Sequence, residues 1–466
     1  MSALIFPTQL PLFSGTDEAA LYHPEGGGGF FSLLTQNTPE GSKYQRSYKL
    51  SAMPEVLNLL DYSRNTWISQ AEFFKPNRRV VNLSRVGLLF ADLDTYKCEL
   101  LAGLTPDQQV ARLHFFCDDS NFPRPSLVVF SGRGLQAKWL LKSPLPRAAL
   151  PRWNACQTAL NELLLPLGSD KQAKDASRVL RLVDSTHLVS GERVRVIDVQ
   201  GTGNEPEAYD FDDLADILLP LTRLELGQLR KQRAERDARR EAFQLIKQES
   251  PRSAVFKGLN GRHLAWDRLE DLRKLGEIRG GWVDDNGVST RTQALHWQLN
   301  FMCLSGAAHS GNFYLEADEL AKQIDPSGWV PARDEIGTLR GKAEQYAKGQ
   351  KIEFGGRTWP ALYTPKNATL IDLFNITDAE QQQLKTIISK AESTRRDTAR
   401  QTAKRRAAGV QERSEYLSGI QNKHAQARIL KAEGVTVAEI AKRLGVTRPT
   451  VYAALKAHTT VYKPSV

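Results

Sequence analysis

Asp92 and Asp94 stand one residue apart at the end of an apolar run, Val86-Gly-Leu-Leu-Phe-Ala. Such a run reads as a buried strand, Val86 to Phe90. Side chains on a strand alternate with period two, so both carboxylates leave its C-terminal edge on the same face. Two carboxylates that close repel each other; they either share a proton or hold a hard divalent cation such as Mg²⁺, which brings waters and phosphates with it. Ser131-Gly-Arg-Gly134 is a turn whose backbone amides and guanidinium let a phosphate approach closely, and Asp170, Arg178, Arg181 and His187 add a third carboxylate, two cations and a ring donor. That inventory suits metal-assisted phosphoryl transfer, where catalysis is mostly positioning and neutralisation of charge. Each piece alone has a plainer reading: a tight hairpin turn, a helix cap, surface arginines. A rival acidic cluster, Asp210, Asp212 and Asp213, immediately precedes Leu214 to Leu219 and reads as the cap of that helix.

The elements that must position these residues alternate. A helical pattern around Met53 to Tyr62 precedes the Asp-bearing strand; Gly26 to Gly29 mark a flexible loop before it. A helix near Pro106 to Cys117 follows, then a strand Ser126 to Phe130, the glycine turn, and a third apolar stretch Ala137 to Leu141, which together make a hairpin. Residues 148 to 167 repeat apolar positions at helical spacing, and Arg193 to Val199 reads as a strand. Strands and helices of this size mixed in this way indicate an α/β or α+β sheet domain over residues 1–222. Residues 223–254 form a charged helical connector. Residues 255–390 read as all-α with Trp282, Trp297, Leu299 and Phe301 in the core and an irregular stretch from Ile352 to Tyr363; residues 391–420 are a basic linker.

The C-terminal stretch is the clearest local structure. One helix runs His424 to Glu433 and ends at Gly434; Thr436 caps a second, Val437 to Leu444; Gly445 turns the chain; and Thr447 caps a third, Arg448 to Lys456. This is a helix-turn-helix unit over residues 421–460, and Thr447, Arg448, Thr450 and Tyr452 are placed to face base edges in a major groove. Charge agrees: residues 381–466 carry 17 Lys and Arg against 6 Asp and Glu, which leaves the rest of a chain of net charge +10 close to neutral. A positive field concentrated at one end suits nucleic acid.

Other classes are disfavoured. No apolar run approaches the roughly 20 residues that span a bilayer, and no signal peptide opens the chain, so a cytosolic protein with no membrane partner is expected. Four cysteines without a CxxC pair argue against disulfides or a zinc ribbon, leaving only a small zinc site from Cys98, His114 and Cys117 to consider. No glycine-rich loop ending in Lys and Ser or Thr is present, so an ATP-driven helicase would have to be a separate partner, and no closely spaced histidine pair suggests a relaxase.

The three segments resemble the archaeo-eukaryotic primase superfamily, particularly the primase-like replication proteins of plasmids and mobile elements. Asp92 and Asp94 match its apolar strand ending in Asp-x-Asp, Ser131 to Gln136 its Ser-Gly-x-Gly turn, and Asp170 through His187 its Asp followed by an Arg-rich strand ending in Thr-His. The resemblance implies a primase-type mixed sheet with RRM-like elements. It also implies Mg²⁺ or Mn²⁺ held by Asp92, Asp94 and Asp170, with nucleoside triphosphates contacted by Ser131, Gly132, Arg133, Gln136, Lys138, Arg178, Arg181 and His187. Primer synthesis on single-stranded DNA follows as the implied activity, with duplex origin DNA as a second partner. Two departures bear on it. Gln136 stands where the family has a nucleotide-binding His, which passes the triphosphate contact to Arg133 or Lys138, and the third motif fits either Asp170 or Asp175, with the distance to His187 favouring Asp170. Gln136 also keeps open a non-catalytic, DNA-binding initiator or regulator.

Overall fold

The computed structural model describes residues 13–24, 27–202, 205–239, 251–283, 289–354, 357–409 and 413–456. Residues 240–250 of the expected connector, part of the early glycine loop and residues 457–460 lie outside them. Two compact units divide the chain, residues 1–387 and 388–466.

In the first unit the chain builds one large sheet from β1 (Phe30–Gln36), β2 (Tyr44–Lys49), β3 (Asn65–Ser69), β4 (Ala71–Phe73), β5 (Leu83–Leu93), β6 (Leu127–Phe130), β7 (Leu135–Pro146), β8 (Val179–Arg181) and β9 (Arg195–Val199). The order is β8-β3-β1-β4-β5-β7-β6-β9, with β2 on the other edge of β1; these pairings are antiparallel, and the two-residue strand Ala208–Tyr209 joins β7 in parallel. The sheet therefore forks. A single residue, Gln70, separates β3 from β4; β3 goes on to pair with β8, whereas β4 pairs with the start of β5. Beyond Val86 the edge of β5 has left β4 behind, and an unpaired buried backbone would be costly. Gln157 on the helix Leu150–Leu163 takes over: Phe90 N donates to its Oε1 at 3.2 Å and its Nε2 donates to Phe90 O at 2.5 Å. Further on, Asp170 N donates to Asp92 O (2.8 Å) and Asp94 N to Gly168 O (2.9 Å). Gly168 sits at φ +82°, a conformation that favours glycine.

β5 is thus longer than the Val86–Phe90 expected, because the polar tail with Asp92 continues the ladder to β7. Within the stretch from Ile352 to Tyr363 expected to be irregular, the structure instead pairs Lys351–Phe354 antiparallel with Arg357–Pro360. The helical region over Pro251–Ala347 docks on the sheet through buried polar contacts. Glu316 accepts from Val80 N (3.1 Å) and Val81 N (3.4 Å), and Glu319 from Asn82 Nδ2 (2.8 Å). Burial raises the Glu316 carboxyl to about 7 against those two N–H donors.

In the second unit the helix Lys390–Ala407 is exposed almost throughout, as a stretch this rich in Arg and Lys should be. Helices Arg413–Ala432, Val437–Leu444 and Arg448–Lys456 enclose a core of Ala427, Ile440, Ala441, Val451 and Ala454. Thr436 Oγ accepts from Glu439 N, Gly445 takes φ +59°, and Arg428 Nε donates to Ala454 O at 3.1 Å, fastening the first helix of the three to the last.

Candidate active site

The fork in the sheet opens a cleft of about 400 Å³, and its walls come from both branches. Asp92, Asp94, Ser131, Gly134 and Gln136 line it from the β5–β7–β6 side; Leu34, Trp67, Val179 and Arg181 from the β1–β3–β8 side; Arg78, Asp175 and Arg178 from the connecting loops. Sequence spacing had brought Asp92 and Asp94 to one face, and both do line this cleft.

The two carboxylates are held differently. Asp94 is ion-paired with Lys97 at 2.7 Å. Asp92 is half-buried, its carboxyl oxygens take no hydrogen bond among the described residues, and burial followed by repulsion from Asp94 pushes it up to about 6, against the pull of Arg178 and Arg181. Among the described residues no three His, Cys, Asp or Glu side chains are grouped to hold one metal ion as they stand. The donor set nevertheless fits a hard cation: two oxygen ligands i and i+2 at a strand end, one without a protein partner, suit an ion that takes its remaining ligands from water and phosphate.

Asp170 and Asp175 part company. Asp170 is docked against β5 through its backbone, while its Oδ1 accepts from Gln172 N in its own turn (2.9 Å) and it is absent from the cleft lining. Asp175 lines the cleft, accepts from Ser177 Oγ at 2.6 Å and lies 3.5 Å from Arg178 Nε. The spacing to His187 that favoured Asp170 does not register which side of the 168–178 loop faces inward.

The glycine turn is built as its sequence suggests. Ser131 Oγ donates to Gly134 O (3.0 Å) and accepts from Gly134 N (3.2 Å). Gly132 sits at φ +93°, and a Cβ there would lie 2.4 Å from His187 Cβ. Turn and His187 are therefore packed as one piece. Ser190 N donates to His187 Nδ1 at 3.0 Å while Ser190 Oγ donates to Gly132 O at 2.8 Å, which leaves the imidazole proton on Nε2. Burial, with Arg181 and Arg133, lowers His187 to about 4, so the ring is neutral at pH 7.

Arg133 is exposed and stacks on Tyr96, 3.8 Å from the ring centroid, with Nη2 donating to the Tyr96 hydroxyl at 2.7 Å. Arg181 donates to Asn65 Oδ1 at 2.6 Å, and burial brings it down to about 10 without neutralising it. Gln136 pairs in register with Asp92, is 2 % exposed, and its Oε1 has no partner among the described residues. Lys138, expected at the triphosphate, lies elsewhere. It is fully buried, ion-paired with Glu18 and held over the Tyr22 ring, and it does not line the cleft. Alternation puts it on the face of Gln136, but one ladder step inward, where Glu18 supplies the counter-charge a buried ammonium needs.

Residues the motifs missed are Lys43, Trp67, Arg78 and Tyr96. They are basic and aromatic residues scattered over a strand, two loops and the turn after Asp94, and such a scatter carries no spacing rule. The zinc alternative does not assemble: His114 lies 3.0 Å from Asp198, Cys98 donates to Pro166 O, and burial drives the Cys117 thiol up to about 12. Asp210 caps Phe211–Leu218 as expected, whereas Asp212, inside that helix, is ion-paired with Arg152 and Arg223. At the C-terminus Thr447, Arg448 and Tyr452 are exposed and Thr450 half-buried, with the two threonine hydroxyls 2.8 Å apart.

Fold and site together define a class: an α+β chain whose forked sheet delivers carboxylates into a cation-lined cleft, followed by a helical region and a separate helix-turn-helix. A family of homeodomain-like domains matches residues 425–460. A replication protein of Clostridium perfringens is 29% identical over 359 residues, 77% of this chain and 76% of that protein. Among solved structures, the archaeo-eukaryotic primase (AEP) domain of the cyanophage S-2L primase-polymerase is 18% identical, covering 41% of this chain and 90% of its own at a TM-score of 0.30. Primase RepB' is 14% identical, covering 70% of this chain and 96% of its own at 0.28. No described helix is long and apolar enough to cross a membrane.

Proposed function

We propose that this chain is a primase-like replication protein: a DNA-dependent nucleotidyltransferase that makes short primers on single-stranded DNA during plasmid or mobile-element replication, addressed to duplex origin DNA by its C-terminal unit. The observation that carries the reading is the cleft itself, where Asp92 and Asp94 face Arg78, Arg178 and Arg181 across a gap open to a polyanion. The similarity to a replication protein over three quarters of the chain supports the coarser half of it.

Asp92 and Asp94, with Asp175 or Asp170 as the third carboxylate, would hold Mg²⁺ or Mn²⁺, which supplies positive charge where negative charge develops in phosphoryl transfer. Arg178 and Arg181 bind and orient the triphosphate. Neutral His187 donates from Nε2, fixed by Ser190, and the Ser131–Gly134 turn keeps that ring at the wall of the cleft. Gln136 offers a carboxamide beside Asp92. Strand opening is left to a separate helicase.

One observation favours the rival reading, a non-catalytic DNA-binding initiator: Asp94 is already neutralised by Lys97. The exposure of that pair argues for easy exchange, since surface ion pairs are worth only about 0–1 kcal/mol. The test is incubation of the full chain with single-stranded DNA, labelled nucleotides and Mg²⁺ or Mn²⁺. Short labelled products support synthesis; retained duplex binding without any product supports the initiator.

A further inference from the structure

Among the described residues five cations line the cleft, and four of them are tied to protein acceptors. Arg78 donates to Ser177 O and to Gln45 Oε1 (3.2 Å), Arg133 to Tyr96, Arg178 to Gln172 O, and Arg181 to Asn65. The fifth is Lys43, immediately before β2. It is exposed, and its ammonium makes no hydrogen bond or ion pair among the described residues. A lysine with three idle donors in water would ordinarily sample many rotamers. This one does not point away: its Nζ lies 4.8 Å from the centroid of the Trp67 ring.

Trp67 is fixed by the sheet. It pairs in register with Leu34 of β1 on one side and Arg181 of β8 on the other, and the Arg181 guanidinium also lies 4.8 Å from its ring. One indole therefore gathers two cations, one from the residue just before β2 and one from the neighbouring strand β8. Each contact is attractive, but the two positive charges repel each other, and an anion lying against both would relieve that repulsion. Near Lys43, β2 is tied to another cation of the cleft, since Arg78 Nε donates to Gln45 Oε1 at 3.2 Å.

We propose that Lys43 is a phosphate-binding residue of the cleft, positioned by Trp67, and that with Arg181 it takes a phosphate group of a nucleoside triphosphate or of a polynucleotide strand. This rests on the nucleotide reading of the cleft and names a contact outside its three motifs.

The full chain and its Lys43→Ala, Lys43→Arg and Trp67→Leu variants decide it in two arms. One arm measures the affinity for a non-hydrolysable deoxynucleoside triphosphate with Mg²⁺ and no DNA. The other measures the affinity for a single-stranded oligonucleotide without nucleotide, with unlabelled duplex present to occupy the C-terminal unit. Loss of a charge-assisted contact should weaken one arm by roughly ten-fold or more in Lys43→Ala, and the arm that moves identifies the source of the phosphate. Lys43→Arg should restore most of it. Trp67→Leu should lose part of the same affinity, and the Lys43→Ala, Trp67→Leu double variant should lose less than the two single losses combined. Lys43→Ala is an exposed change and leaves folding intact, so both arms unchanged within two-fold would overturn the proposal; fully additive losses would overturn the role given to Trp67. Binding that depends on Lys43 in a chain that makes no product would leave this contact standing and overturn the catalytic reading instead. Synthesis that persists in Lys43→Ala with both affinities intact would do the reverse.

Discussion

Replacing Asp92 by Asn should make the metal-free protein more stable and the metal-loaded protein inactive. The Asp92 carboxyl is half-buried without a hydrogen-bond partner, and its rise from 3.8 to about 6 corresponds, at roughly 1.4 kcal/mol per pH unit, to at most about 3 kcal/mol lost on ionisation in the folded state. The sign follows from proton binding. A carboxyl with a raised value binds its proton more tightly folded than unfolded, so its contribution is fully present below 3.8 and is lost as pH rises through about 6. Asn has no charge to bury, and the variant's advantage in EDTA should be a few degrees in melting midpoint at pH 7.5 and should vanish by about pH 4. Adding Mg²⁺ with a non-hydrolysable triphosphate should reverse the order, because a ligand at a hundred times its dissociation constant stabilises the wild type by about 2.7 kcal/mol and the variant far less. Thermal melts at the two pH values, with and without metal and nucleotide, read all four states. A variant less stable than wild type in EDTA, or stabilised equally by metal and nucleotide, would refute the assignment of Asp92 as an unpaired ligand waiting for a cation.

Three other outcomes are expected. Asp175→Asn should lower nucleotide incorporation more than Asp170→Asn, because only Asp175 lines the cleft; the reverse order in steady-state rates would restore Asp170 as the third ligand. Lys138→Ala should cost on the order of 3–5 kcal/mol of stability by leaving Glu18 buried and unpaired, visible as a lowered denaturant midpoint, with nucleotide affinity of the folded protein unchanged; weakened nucleotide binding without loss of stability would return Lys138 to the site. Arg448→Ala should cost about 1–3 kcal/mol on a specific duplex if it pairs with a guanine edge, and chain termination after residue 420 should abolish the preference for that duplex over a scrambled one at fixed salt; an unchanged preference would make the C-terminal unit a protein-docking module.

What the sequence disclosed follows its local rules. Alternation and an abrupt change from apolar to acidic are visible in any eleven-residue window, so the Asp92 strand, the Ser131–Gly134 turn and the capped C-terminal helices could be read directly. The contacts that complete the cleft depend on register across distant strands. Trp67 meets Arg181 only because β3 turns at Gln70 to hand its second half to β5, and nothing local marks Lys43 as the neighbour of residue 67. Lys138 failed for the same reason in reverse. Its face was right, but the buried Glu18 that claims it lies 120 residues away. The choice between Asp170 and Asp175 turned on the inside and outside of one loop, which spacing to His187 does not encode.

The central claim is that Asp92 and Asp94 make the cleft a nucleotidyl-transfer site, and Asp94→Asn tests it most directly. Wild type and variant, matched for folding and for duplex binding through the C-terminal unit, are given single-stranded template, labelled nucleotides and Mn²⁺, and the labelled products are resolved by length. Short products are expected from the wild type and none from the variant. Products of equal yield from both would contradict it.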